Sequence, residues 1–219
     1  MRIRVTHQRI TFVLQCVLFV EVLVALWTQR WFTGFFTVLI VLVTFLPVLL
    51  ERRFRIHIPP EMQLLAITFV FASLFLGEVR DYYNRFWWWD IALHTSSGFL
   101  LGILGFLLVH VLNEAERVQV HMKAGFVAFF AFLFALGVGA LWEIFEFTMD
   151  QLFGTTMQKP MLGDPSGLTD TMWDLIVDAL GALVISVLGW RHLKNPQKAS
   201  LLERWIGDCV RRNPRFFRN

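Results

Sequence analysis

Asp90 and His94 are four residues apart in the run Asp90-Ile-Ala-Leu-His94, a spacing that stacks two side chains on one face of a helix. Glu143, Glu146 and Asp150 follow at i, i+3 and i+7 and fall within about 60° of one another on a helix. Asp170, Asp174 and Asp178, at i, i+4 and i+8, drift by about 80°. Carboxylates and an imidazole gathered this way can hold a divalent metal ion or move protons. The set expected to carry the chemistry is Asp90, His94, Glu143, Glu146, Asp174 and Asp178, with all but Asp90 as expected metal ligands.

Glu143, Asp174 and Asp178 are flanked by apolar residues, so their charge needs an answer. At about 1.5 Å per residue, Asp178 lies about 12 Å along its helix from Asp170. An ionised carboxylate at the centre of a spanning helix costs about 2.5–3.5 kcal/mol, so such groups seek protons, cations or metal. Between Ala124 and Trp190 the only basic residue is Lys159. Arg80 and Arg85 are further candidates to neutralise two of the acids, which still leaves more carboxylates than cations. Blander roles stand beside this one. Asp150 and Asp164 suit a solvated loop, Asp170 suits a helix N-cap, and His94 suits a hydrogen-bonded interior. Glu21 and Glu51 stay outside the cluster, and Glu51 is expected to cap its helix or meet Arg55.

The elements that position these residues are helices that cross a membrane. Hydrophobic residues make up 56% of the 219 and charged ones 17%, with 23 Phe and 9 Trp, more apolar surface than one soluble core could hide. Six stretches approach the roughly 20 apolar residues a span requires: about 10–27, 32–50, 62–76, 91–112, 124–147 and 173–190. The fold class is therefore all-α, a polytopic bundle of six transmembrane helices over residues 1–198. The first stretch follows Arg2, Arg4 and Arg9 as a signal peptide would, yet Ala25-Leu26-Trp27 lacks a small-x-small cleavage site, so it is expected to be a mature helix.

Orientation follows from the basic residues. Sixteen of the 20 Lys and Arg fall on one side of the alternating loops, and Arg30, Arg80, Arg85 and Lys159 on the other. By the positive-inside rule both termini are cytoplasmic, which sends the acid-bearing ends of the last three segments, with Glu78 and Asp81, to the non-cytoplasmic face. After Pro196 the apolar positions Leu201, Leu202, Trp205, Ile206, Cys209 and Val210 are spaced for an amphipathic helix on the anionic leaflet, in a basic tail of residues 199–219. Trp87, Trp88 and Trp89, with Tyr82 and Tyr83, fit an interfacial belt. Cys16 and Cys209 are expected to be free thiols.

Gly98, Gly102 and Gly105 follow His94, Gly137 and Gly139 precede Glu143, and Gly181 follows Asp178. Small residues at such spacing let membrane helices approach closely. The stretch Gln151–Thr171 carries Gly154, Pro160, Gly163, Pro165 and Gly167, and is expected to be irregular backbone, either a lid over the cluster or a passive connector.

Three stretches carry a resemblance: Trp89-Asp90-Ile-Ala-Leu-His94-Thr-Ser-Ser-Gly98, Trp142-Glu143-Ile-Phe-Glu146 and Asp170-Thr-Met-Trp-Asp174-Leu-Ile-Val-Asp178-Ala-Leu-Gly181. Together, over about residues 60–190, they resemble the YjdF-like family of small bacterial inner-membrane proteins and, more distantly, the VanZ-like proteins. The VanZ-like pattern matches Asp90, His94, Glu143, Asp174 and Gly181. Glu146 stands where that pattern has Gln, and Asp178 where it has Asn, two departures that add negative charge and favour metal. The resemblance implies a multi-pass bacterial inner-membrane protein and leaves the chemistry open.

Three functions compete. An enzyme acting on a lipid or lipid-linked substrate would use Mg²⁺, Mn²⁺, Zn²⁺ or Ca²⁺ and no organic cofactor. The CDP-alcohol phosphotransferase run of aspartates is absent, and no Ser-His-Asp arrangement is evident. A proton- or cation-coupled transporter would want acids spread through the bundle, whereas here they gather at one face. A structural protein would tolerate neutral amides at these positions. Membrane lipids are the expected partners, and nothing implies nucleic-acid binding.

Overall fold

A computed structural model describes residues 2–54, 58–114 and 122–194. These residues form helices α1 (Arg2–Trp27), α2 (Trp31–Thr44), α3 (Leu46–Phe54), α4 (Pro60–Val70), α5 (Tyr82–Arg85), α6 (Trp89–Glu114), α7 (Ala124–Phe153) and α8 (Leu168–Lys194), with a π-helical stretch, Phe71–Val79, continuing α4. No strand occurs among them. Six helical segments are long and apolar enough to cross a membrane: Arg9–Trp27, Trp31–Arg53, Pro60–Val79, Trp89–Val109, Ala124–Phe153 and Leu168–Lys194. The all-α, six-span reading holds. The expected surface helix after Pro196, with Cys209, lies outside the described residues, while Cys16 is a free, exposed thiol.

Several boundaries differ from the sequence reading: α1 begins at Arg2, and α7 runs on to Phe153 and α8 begins at Leu168, which confines the irregular connection to 154–167. Two differences have local reasons. The second span breaks at Phe45 into α2 and α3, because Pro47 has no N–H to continue the ladder. The sixth begins at Leu168, five residues earlier than the apolar run, since Asp170 is buried in its first turn.

The described chain forms two compact units, one up to Trp89 and one from Asp90 onward. In the first unit α1 packs on α2 and α4, and Leu18, Ile40 and Phe75 make a buried cluster. Glu51 Oε1 accepts the Ile58 N–H at 2.7 Å, just before α4, which starts on Pro60 as first-turn prolines do, while Arg55, its other expected partner, lies outside the described residues.

In the second unit α6, α7 and α8 are drawn together by glycines. The Asp178 carbonyl occupies the space a Cβ would take at Gly98, and the Thr95 carbonyl does the same at Gly181, so α6 and α8 cross with backbone on backbone. Gly102 receives Ile185 and Ala182, Gly105 meets Ala131, and Gly139 abuts the Asp178 carboxylate. Gly137 makes no such contact and lies open. Phe106 and Val109 join Val127, Ala128 and Ala131 in an apolar cluster further along the same helices.

Candidate functional site

All six expected site residues lie in the second unit. Asp90 opens α6 and His94 follows one turn later. Glu143 and Glu146 lie on the buried side of α7, and Asp174 and Asp178 are buried on α8. Asp178 is 1% exposed, so its carboxylate is met by protein on every side.

The imidazole of His94 is the hub. Its Nε2 stands 3.7 Å from Asp90 Oδ1 and 3.8 Å from Asp174 Oδ2. Its Nδ1 stands 3.4 Å from Asp178 Oδ2 and 4.0 Å from Glu143 Oε1. Four carboxylates from three helices thus divide between the two ring nitrogens. One ligand atom each from Asp90, His94 and Asp174 lie within 4.8 Å of one another, the spacing of a metal-binding triad. With bonds of about 2.0–2.2 Å, tetrahedral ligands sit about 3.3–3.6 Å apart, so the 3.7 and 3.8 Å His94 separations would close by a few tenths of an ångström around zinc, and the two carboxylates, within 4.8 Å of each other, by up to about 1.5 Å. Asp178 and Glu143, expected as metal ligands with His94, face the opposite ring nitrogen.

Asp178 is further held by Ser97, whose hydroxyl lies 2.5 Å from its Oδ1 and 2.8 Å from the His94 carbonyl. Glu146 Oε1 accepts the Trp142 indole N–H at 2.9 Å. Both Glu143 oxygens are buried with no hydrogen-bond partner among the described residues. A buried polar atom left so is unusual and marks either a protonated acid or a group awaiting a ligand.

The remaining acids do other work. Asp150 Oδ1 accepts from Thr155 Oγ1 and Met157 N, and its Oδ2 from Gln158 N. Asp170 is not the N-cap of α8. Its Oδ2 accepts the Lys159 N–H at 2.7 Å, while Gln158 donates to Thr171. Asp164 takes the capping role, accepting from Ser166 N and Oγ and from Thr169 N and Oγ1. Those four donors hold its carboxyl well below the usual carboxylate range. Leu162 and Gly163, at φ 51° and 85°, make the tight turn bridged by Met161 and Asp164. The connection between α7 and α8 is thus tied at both ends by carboxylates of those helices.

Arg80, expected to neutralise an acid of the later segments, is instead bound to Glu21 in the first unit. Lys159 approaches the cluster through its backbone, and its Nζ donates to the Met157 carbonyl at 3.2 Å. Sequence reasoning missed Ser97 and Trp142 as partners. Their offsets, three residues after His94 and four before Glu146, were the available signal.

Among the curated proteins, the chain is similar to an "Uncharacterized protein" of Thermotoga maritima, at 29% identity over 147 residues, covering 67% of this chain and 71% of the other. No solved structure matches. A family model described as "Predicted membrane protein (DUF2238)" matches residues 10–195, from the first span to the end of the last. That match takes in every helix that builds the site, and it makes the chain a member of the DUF2238 family of membrane proteins.

Proposed function

We propose that the second unit holds a divalent metal ion at Asp90, His94 and Asp174 and uses it to act on a lipid or lipid-linked substrate. The observation that carries this reading is the division of labour around His94. When Nδ1 bears the proton and donates it to Asp178, the Nε2 lone pair is left facing Asp90 and Asp174. Metal-bound histidines commonly give their second N–H to a carboxylate in this way. Ser97 in turn orients Asp178. One imidazole with two carboxylates suits Zn²⁺ or Mn²⁺ better than Mg²⁺ or Ca²⁺.

The bound ion would polarise a phosphoryl or carbonyl oxygen. Glu143, whose oxygens have no hydrogen-bond partner among the described residues, is the acid without other work and is assigned the proton. It takes one from water as the water oxygen bonds to phosphorus or carbon, then passes it to the leaving oxygen as that bond breaks. The YjdF-like resemblance rests on the same stretches that build the site. With the positive-inside bias, it supports a bacterial inner membrane with the site toward the non-cytoplasmic side.

The test is metal content. Protein purified in mild detergent without chelator should carry close to one Zn²⁺ or Mn²⁺ per chain. An Asp90→Asn/Asp174→Asn double variant should lose it while keeping its elution volume and helical content. A retained ion justifies screening lipid phosphates and esters for turnover. Folded wild type that takes up neither ion at saturating concentration removes the metal reading and leaves proton-linked transport or a structural role.

A further inference from the structure

Away from the His94 cluster, the first unit carries a second polar arrangement at the end where α1 stops and α2 begins. Glu21 is 4% exposed, about 9 Å short of the Trp27 end of its span. Two arginines reach it. Arg30 Nη2 lies 3.3 Å from Oε1, and Arg80 Nη2 lies 2.7 Å from Oε2. One guanidinium would neutralise one carboxylate. The second leaves the Glu21–Arg30–Arg80 group itself with one positive charge more than it holds negative, before the exposed acids Glu78 and Asp81 beside Arg80 are counted.

Both arginines are fixed in place while staying open. Arg30 Nε donates to Thr28 Oγ1 at 3.1 Å, and Thr28 is itself tied to the Val24 carbonyl. The Arg80 guanidinium sits 5.5 Å over the Phe75 ring. Even so, the two side chains are 49% and 48% exposed. Each also has a neighbour of unusual backbone: Gln29 at φ 56° and Asp81 at φ 62°. Non-glycine residues in the left-handed region are strained and cluster where a site dictates the turn. The π stretch Phe71–Val79 delivers Arg80, and π segments too gather at functional sites. Glu78 and Asp81 flank Arg80 and are exposed, and the ion pairs of both arginines among the described residues are with Glu21.

We infer that Arg30 and Arg80, held by Glu21, form a binding site for a phosphate group at the membrane interface. Guanidinium forks match phosphate oxygens in geometry and charge, and arginine is over-represented wherever planar, bidentate phosphate recognition matters. Phosphate would supply the negative charge that Glu21 alone does not.

The test uses the full chain in detergent with EDTA, so that no anion binds through a metal. Melting temperature is followed against dihexanoyl phosphatidic acid, inorganic phosphate and phosphate-free dihexanoylglycerol. Phosphatidic acid should raise it saturably and dihexanoylglycerol should not. Arg30→Gln leaves the Arg80–Glu21 pair, neutral as a unit, and should weaken phosphatidic acid about tenfold. If Arg30→Gln does not fold, Arg30→Lys, which keeps the charge and loses the fork, should weaken it by about threefold. Stabilisation by the lipid alone assigns a headgroup site, and stabilisation by inorganic phosphate as well assigns a site for free phosphate, both supporting the inference. Equal affinity in the folded variant and wild type overturns it, as does an equal response to dihexanoylglycerol.

Discussion

The carbonyl of Asp178 lies where Gly98 has no side chain, so the α8 backbone rests directly on α6 one turn beyond His94. A Cβ at Gly98 would meet backbone, which cannot step aside as a side chain can. Gly98→Ala is therefore expected to push the helices apart and destabilise the unit by about 1–3 kcal/mol. It should also weaken any ion held between Asp90, His94 and Asp174. Gly137→Ala, in open space on α7, should instead stabilise by about 0.5–1 kcal/mol. Thermal unfolding of the two variants side by side checks the contrast.

Ser97 and Asp178 would act on the proposed metal site through the His94 ring. Ser97→Ala and Asp178→Asn should each lower metal affinity about 10–100-fold without changing the number of ions bound at saturation. A titration with a competing chelator measures this directly. In wild type, metal at a hundred times its Kd should stabilise the fold by about 2.7 kcal/mol. Protons compete for the same ligands, so affinity should fall as pH falls.

Asp164 gives the connection between α7 and α8 a pH dependence of its own. Its folded carboxyl is held below the usual range, so the stability it contributes is present above the unfolded pKa, near 3.9, and is lost as pH falls through the folded value. At pH 7 Asp164→Ala should speed proteolytic cleavage within residues 154–167. The wild-type and variant cleavage rates should converge as the pH is lowered past the carboxylate range, as read with an acid-active protease. Metal binding should not change.

Trp142→Phe removes the indole N–H from Glu146 Oε1 and leaves that buried oxygen without its donor. Destabilisation of about 1–3 kcal/mol is expected, read by thermal unfolding. A change near zero would show that Glu146 finds another donor.

The spans were legible because twenty apolar residues in a row have few other fates, and the acids because each interrupts such a run. Their partners were not. Nothing in the residues around Asp170 says that its carboxylate accepts the Lys159 N–H instead of capping α8, since that depends on how the loop returns. Asp164 was readable as a loop residue, yet its four donors come from a turn whose shape is set by Leu162 and Gly163. Charge counting offered Arg80 to acids expected on the same face of the membrane, and tertiary contact gave it to Glu21. His94 was found, whereas the division of its two nitrogens between two carboxylate pairs required three helices to be placed.

The wide turns of Phe71–Val79 make the pitch of that segment a determinant of what its end presents. The same 9 residues wound at ordinary α pitch would turn about 900°, where π turns of about 4.4 residues give about 740°. The end would then rotate by about 160° and carry Arg80 away from Glu21. Removing one residue as well would take back about 100° of that swing. Substitutions that restore α pitch at constant length would thus rewire one end of the first unit.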